Sequence, residues 1–212
     1  MRSINKIFFY TTAFTLALIV ARFVYTGNHV YVFLLWNLFL AWIPLFISYQ
    51  LSSRLERRAW NILVFAGWLL FFPNSLYIVT DLVHLNHRSD APEWFDIILL
   101  FSAVMNGLMM AYASIVKIHL FLRDYFSDRF VNLIILVCFT ISSFGVYLGR
   151  FLRWNSWDAV TKPGIIINEL FIRLFAPMRH PAAWGMTLLL SVFFAMLYFV
   201  IRKLPGLTSG KN

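Results

Sequence analysis

Cysteine is almost absent from this sequence of 212 residues, since Cys138 is the single one. One cysteine cannot form a disulfide within the chain, and it has no second thiolate with which to share a metal ion. Charged residues are also scarce, at 13%, where a soluble domain has about a quarter. These shortages exclude a domain held by internal disulfides and argue against an ordinary soluble domain.

Apolar residues, by contrast, make up 61% of the chain and occur in runs of about twenty. A helix of that length crosses a hydrocarbon layer of roughly 30 Å, and backbone groups in lipid must be paired within the segment. The sequence therefore predicts an all-α, polytopic membrane helical bundle that forms a single integral membrane domain, residues 1–212. The predicted spans lie near residues 7–26, 30–50, 60–82, 94–117, 129–151 and 183–202.

Basic residues are unevenly divided between the two sides of this predicted bundle. With the N-terminus in the cytoplasm, the cytoplasmic side carries eleven Lys and Arg against three Asp and Glu, and the other side carries seven against six. Short cytoplasmic loops are commonly basic, so we expect both termini in the cytoplasm. This rule accounts for the net charge of +9; membrane lipids are therefore the expected partners, and no nucleic acid is needed.

The longest predicted connection contains the stretch "PGIIINELFIRLFAP". Within it, Glu169 and Arg173 are four residues apart, which is the spacing of an ion pair on a helix. We expect a short amphipathic or re-entrant helix over residues 163–176, on the outer side of the membrane.

Polar residues gather at the predicted outer ends of the third, fourth and fifth spans. They form three pairs, each with the three-residue spacing of a shared helical face, and two more follow the last pair: Asp81 and His84, Glu93 and Asp96, Arg150 and Arg153, then Asn155 and Asp158. Ionisable groups at membrane depth are costly and face the protein interior, a cavity or each other. One interpretation is structural, with ion pairs that hold the helix ends together.

The other interpretation is a site for chemistry. Carboxylates and an imidazole suit a divalent metal ion, which would activate water or polarise an anion. The predicted metal ligands are Asp81, His84, Glu93 and Asp96. Without a metal, His84 oriented by Asp81 could act as a general base, so these two are the candidate catalytic residues.

An anion would be held by the arginines of the fifth span. Arg150 and Arg153 could bind a phosphate or a carboxylate through paired hydrogen bonds, and Asn155 and Asp158 complete the candidate substrate-binding set. The expected ligand is an anionic lipid-linked molecule or a small anion. Arg22, near the outer end of the first span, is expected to extend its side chain toward water.

Three stretches of the chain resemble the signature blocks of a bacterial multi-pass membrane family, domain of unknown function 1361. They are "FFPNSLYIVTDLVHL", "APEWFDIILL" and "GVYLGRFLRWNSWD". The resemblance implies a protein of the bacterial inner membrane. It implies no catalytic residue, substrate or cofactor.

Three functional classes therefore stay open. The first is a membrane enzyme, with or without a divalent metal, that acts on an anionic lipid-linked or envelope substrate. The second is a transporter of a small solute, although the sequence has neither the internal repeat nor the matched broken helices that many transporters show. The third is a non-catalytic assembly or partner protein whose charges are structural.

Overall fold

The computed structural model describes residues 2–52, 58–86 and 90–208. Every regular element in these ranges is a helix, so the predicted all-α class is confirmed. The α-helices are α1 (Arg2–Thr26), α2 (Phe33–Ser48), α3 (Arg58–Tyr77), α4 (Glu93–Arg123), α5 (Asp128–Leu152), α6 (Asp158–Thr161), α7 (Pro163–Phe175) and α8 (Pro181–Thr208). The same ranges contain two 3₁₀ helices, at Ile78–Asn86 and Pro177–Arg179.

Among the described residues, five helical segments are long and apolar enough to cross a membrane: α1, α3 with its 3₁₀ continuation, α4, α5 and α8. Helix α2, the predicted second span, has 16 residues of α-helix, which is about 24 Å. Backbone hydrogen bonds between residues three apart continue the helical path at both ends, from His29 to Gln50. The helical path as a whole covers residues 29–50, and a membrane crossing by this segment stays a prediction.

The third span changes helix type along its length. The predicted segment 60–82 is α-helical only as far as Tyr77, and the chain then continues as the 3₁₀ helix Ile78–Asn86. Pro73 has no N–H for the α-helical ladder. The side chains of Asn74 and Thr80 each donate to the carbonyl three residues before them, which competes with regular backbone bonding. The predicted catalytic pair, Asp81 and His84, lies on this 3₁₀ helix.

The chain divides into two compact units, residues 1–118 and 119–212, and each is described by itself. The sequence predicts one membrane domain over 1–212, and this stays a prediction.

In the first unit, α1 and α2 lie side by side and antiparallel. Near one end, the Tyr49 hydroxyl donates to the Asn5 side chain over 2.5 Å. Near the other, the Arg22 guanidinium carbon lies 4.4 Å from the centroid of the Tyr31 ring. Helix α2 therefore covers nearly the whole height of α1, one of the five apolar helices.

Polar side chains also join α1 to α4 within this unit. The Asn106 amide donates to the Thr15 hydroxyl over 2.8 Å and to the Thr11 carbonyl over 3.1 Å. The Thr15 hydroxyl in turn lies 3.1 Å from the Ser102 hydroxyl. Such hydrogen bonds fix the register of helices that have no hydrophobic driving force between them in lipid.

In the second unit, α5 and α8 pack antiparallel. The Arg202 side chain donates to Asn132 over 3.1 Å, and the rings of Phe139 and Phe194 lie 6.4 Å apart. Helix α7 lies within the predicted segment 163–176 and begins at Pro163, whose fixed φ and missing N–H suit the first turn of a helix.

Candidate functional site

A buried ion pair joins α1 to α4 in the first unit. Arg22 donates from Nε to Asp96 Oδ1 over 2.7 Å and from Nη2 to Oδ2 over 3.2 Å. Both side chains are 4% exposed. The expectation that Arg22 extends toward water is therefore wrong, because a carboxylate inside the unit satisfies its fork with two parallel bonds.

Tyr31 covers the pair from the turn before α2. Its ring lies under the Arg22 guanidinium, and its hydroxyl donates to the backbone carbonyl of His84 over 3.3 Å. The phenolic O–H thus acts as a hydrogen-bond donor in this cluster.

Asp81 and His84 occupy one edge of the 3₁₀ helix. Asp81 is 1% exposed and accepts a hydrogen bond of 2.7 Å from the Asn37 side chain of α2. In a 3₁₀ helix, residues three apart eclipse one another, so Asp81 and His84 project from the same edge. His84 is half-buried, with its ring centroid 4.9 Å from that of Phe33.

The two acids of α4 have different environments. Glu93 is the first residue of the helix and is exposed, whereas Asp96 is buried and paired with Arg22. Within residues 2–52, 58–86 and 90–208, no three His, Cys, Asp or Glu side chains group closely enough to hold a metal ion. The predicted metal site therefore gains no support from this arrangement and stays a prediction.

Arg150 and Arg153, in the second unit, do not share a helical face. Helix α5 ends at Leu152, and Arg153 follows it in the left-handed conformation with φ of 58°. A left-handed residue ends a helix by redirecting the chain, so the three-residue spacing does not align these side chains as predicted. Arg150 is half-buried in the last turn, and Arg153 is exposed.

The remaining predicted anion-binding residues form a local loop structure. Asp158 accepts a hydrogen bond of 2.8 Å from the backbone N–H of Asn155, and its other oxygen lies 3.8 Å from the Lys162 ammonium. Both oxygens of Asp158 are thus engaged close to the start of α6, which gives this residue a structural role. The part that Arg150, Arg153, Asn155 and Asp158 take in ligand binding stays a prediction.

The structure thus groups a different set of first-unit residues from the one that the sequence indicates. The polar cluster consists of Arg22, Tyr31, Asn37, Asp81, His84 and Asp96. Arg22 and Tyr31 are not among the site residues that the sequence predicts. A signal was present for Arg22, because an arginine inside an apolar run needs a counter-charge at membrane depth.

A family model described as "Protein of unknown function (DUF1361)" matches residues 36–197. No curated protein and no solved structure matches the chain. The matched range includes Asn37, Asp81, His84 and Asp96, whereas Arg22 and Tyr31 precede it.

Proposed function

We propose a function for this chain on the premise that it belongs to the DUF1361 family of proteins of unknown function, whose model covers most of its length. The chain is an integral membrane protein in which His84, oriented by Asp81, acts as a general base on an anionic lipid-linked or envelope substrate.

The observation that carries this proposal is the arrangement of Asp81 and His84 on the 3₁₀ helix. A buried carboxylate next to a more accessible imidazole is the usual arrangement for a catalytic histidine, because the carboxylate selects its tautomer and the outer nitrogen takes the proton. Asp81 is 1% exposed, and His84 is half-buried. Asn37 holds Asp81 through the hydrogen bond described above.

The other predicted site residues have separate parts in the proposal. Asp96 is paired with Arg22, and Asp81 is the carboxylate that shares the 3₁₀ helix with His84. Metal assistance through Asp81, His84, Glu93 and Asp96 is an extension that the general-base chemistry does not require.

The proposed location is the bacterial cytoplasmic membrane, with six crossings and both termini in the cytoplasm. The length of α2 alongside α1 supports the sixth crossing, because α1 is itself long enough to span. Reporter fusions at the C-terminus test the orientation. Green fluorescent protein should fluoresce there and alkaline phosphatase should be inactive, whereas active phosphatase would place the C-terminus outside.

A second function is favoured by one specific contact. The pair of Arg22 and Asp96 is buried and bidentate, as expected of a structural charge network. In that case the chain is a non-catalytic membrane protein, and Asp81 and His84 add further contacts between helices.

Labelling with diethyl pyrocarbonate and peptide mass spectrometry separates these two functions without a known substrate. The reagent modifies neutral imidazole and so reports the nucleophilicity of each histidine. In proteoliposomes at mildly alkaline pH, we expect Asp81→Asn to slow modification of His84 severalfold, because the variant loses the carboxylate that orients and polarises the ring. His29 is exposed in the turn between α1 and α2 and should react at the same rate in both proteins.

The substrate class is tested in the same vesicles with a polyprenyl phosphate and the matching uncharged polyprenol. Protection of His84 by the phosphate alone supports an anionic lipid-linked substrate, and equal labelling with both lipids contradicts it. A folded Asp81→Asn variant with an unchanged rate at His84 contradicts the catalytic pair and favours the structural function.

A further inference from the structure

Helix α7 (Pro163–Phe175) exposes its apolar residues and turns its charged residues toward the protein. A helix on the surface of a protein in water does the reverse. Its exposed side is almost wholly apolar, and Asn168 is the one polar side chain there. Phe171 is 54% exposed and Phe175 is 78% exposed. The exposed apolar residues of this face are Ile165, Ile167, Phe171, Ile172 and Phe175.

The charged residues of α7 face the protein instead. Arg173 is 7% exposed and forms an ion pair with Glu169 on the same helix. Its guanidinium lies 5.9 Å from the ring centroid of Tyr147 in α5, and its carbonyl accepts a 2.9 Å hydrogen bond from the Trp184 indole of α8. An amphipathic helix at a lipid–water surface shows the reverse pattern, with its charges toward water.

The contacts with α5 and α8 also show where α7 lies along the lengths of these two helices. Tyr147 lies five residues before the end of α5 at Leu152, which is about 7 Å along the helix. Trp184 lies three residues after the start of α8 at Pro181, which is about 4–5 Å along that helix. Both contacts of α7 therefore fall within the lengths of α5 and α8, close to one end of each helix. Because α5 and α8 are both apolar enough to span a membrane, these contacts place α7 at the depth of the membrane.

We infer that α7 is embedded in the lipid leaflet where α5 ends and α8 begins, and that acyl chains cover its exposed apolar face. The inward charges fit this placement, because ionisable groups in a membrane turn toward protein. The sequence leaves a surface-lying and a re-entrant helix open, and the placement of Arg173 and Glu169 favours the embedded one. This inference does not depend on the proposed chemistry at His84.

Spin-label accessibility tests the inference directly. In a Cys138→Ala background, single labels at Phe171→Cys and Phe175→Cys are compared for collision with oxygen, which concentrates in lipid, and with a water-soluble nickel chelate. Leu189→Cys, on the exposed side of α8, gives the lipid reference. Lys162→Cys, whose native side chain is 56% exposed just before α7, gives the water reference.

We expect both α7 labels to collide mainly with oxygen, as Leu189→Cys does. Collision mainly with the nickel chelate, as at Lys162→Cys, overturns the inference. Protection from both reagents also overturns it, because another protein surface would then cover the face. If a label disturbs folding, the unlabelled cysteine variants are treated with a charged maleimide. Slow reaction at Phe171→Cys beside fast reaction at Lys162→Cys supports the embedded helix, and equally fast reaction overturns it.

Discussion

Arg22 and Asp96 are 74 residues apart in the chain and are joined by two parallel hydrogen bonds of 2.7 and 3.2 Å. Breaking a buried pair from one side leaves a charge without its partner, which costs about 3–5 kcal/mol. We therefore expect Arg22→Met or Asp96→Leu to lower the free energy of unfolding by about that amount, as measured by thermal unfolding in detergent.

The double variant with both substitutions separates pairing from other effects. Two apolar residues leave no isolated charge, so most of the lost stability should return. Asp128→Asn is the matched control. The side chains of Asp128 and its partner Arg123 are 58% and 47% exposed, and exposed ion pairs contribute about 0–1 kcal/mol to the free energy of unfolding. A double variant no more stable than the worse single variant would contradict this account of Arg22 and Asp96.

Two buried threonines, Thr15 and Thr187, differ in whether their hydroxyl has a hydrogen-bond partner. The Thr15 hydroxyl accepts from Asn106 and lies next to that of Ser102. The Thr187 hydroxyl has no hydrogen-bond partner within the part of the chain that the structure describes. Valine has nearly the same shape as threonine but removes the hydroxyl. Thr15→Val should cost about 1 kcal/mol, because helix–helix hydrogen bonds in membranes have that magnitude.

Thr187→Val should be neutral or slightly stabilising, since a buried hydroxyl without a partner is unfavourable. Thermal unfolding of both variants beside the native protein measures the difference. Equal losses at the two positions would show that the hydroxyl of Thr15 contributes nothing specific.

The helical class and the approximate helix positions could be predicted because runs of about twenty apolar residues have few alternatives in lipid. The grouping of the polar residues could not. Arg22 meets Asp96 through tertiary packing, and the sequence around Arg22 indicates the need for a counter-charge but not which residue supplies it. The left-handed conformation of Arg153 likewise depends on how the chain leaves α5, and spacing alone does not show it.

Asp81 and His84 are an intermediate case. Their shared face was predicted on the assumption of a regular α-helix, and the structure gives the same face through a 3₁₀ helix. The two geometries agree here because residues three apart are neighbours in an α-helix and eclipsed in a 3₁₀ helix. The spacing therefore predicts that the two residues share one face, although it does not predict the type of helix.

Gly107 of α4 lies against the segment that leads into the 3₁₀ helix of Asp81. A methyl group added at Gly107 would overlap the Cγ2 atom of Ile78 and lie 3.0 Å from the carbonyl oxygen of Ser75. Since Ile78 is fully buried, it has little room to move. We expect Gly107→Ala to cost about 1–3 kcal/mol through overpacking.

Gly67→Ala in α3 is the matched control, because no atom of the described residues lies within 4 Å of the added methyl group. Both glycines are inside α-helices, so alanine should gain about the same helix propensity, up to about 1 kcal/mol, at either site. The difference in thermal stability between the two variants then measures the overlap with Ile78. Ile78 begins the 3₁₀ helix, so a shift there should also change the labelling rate of His84. Unchanged stability and an unchanged rate in Gly107→Ala would show that α4 does not hold the 3₁₀ helix in place.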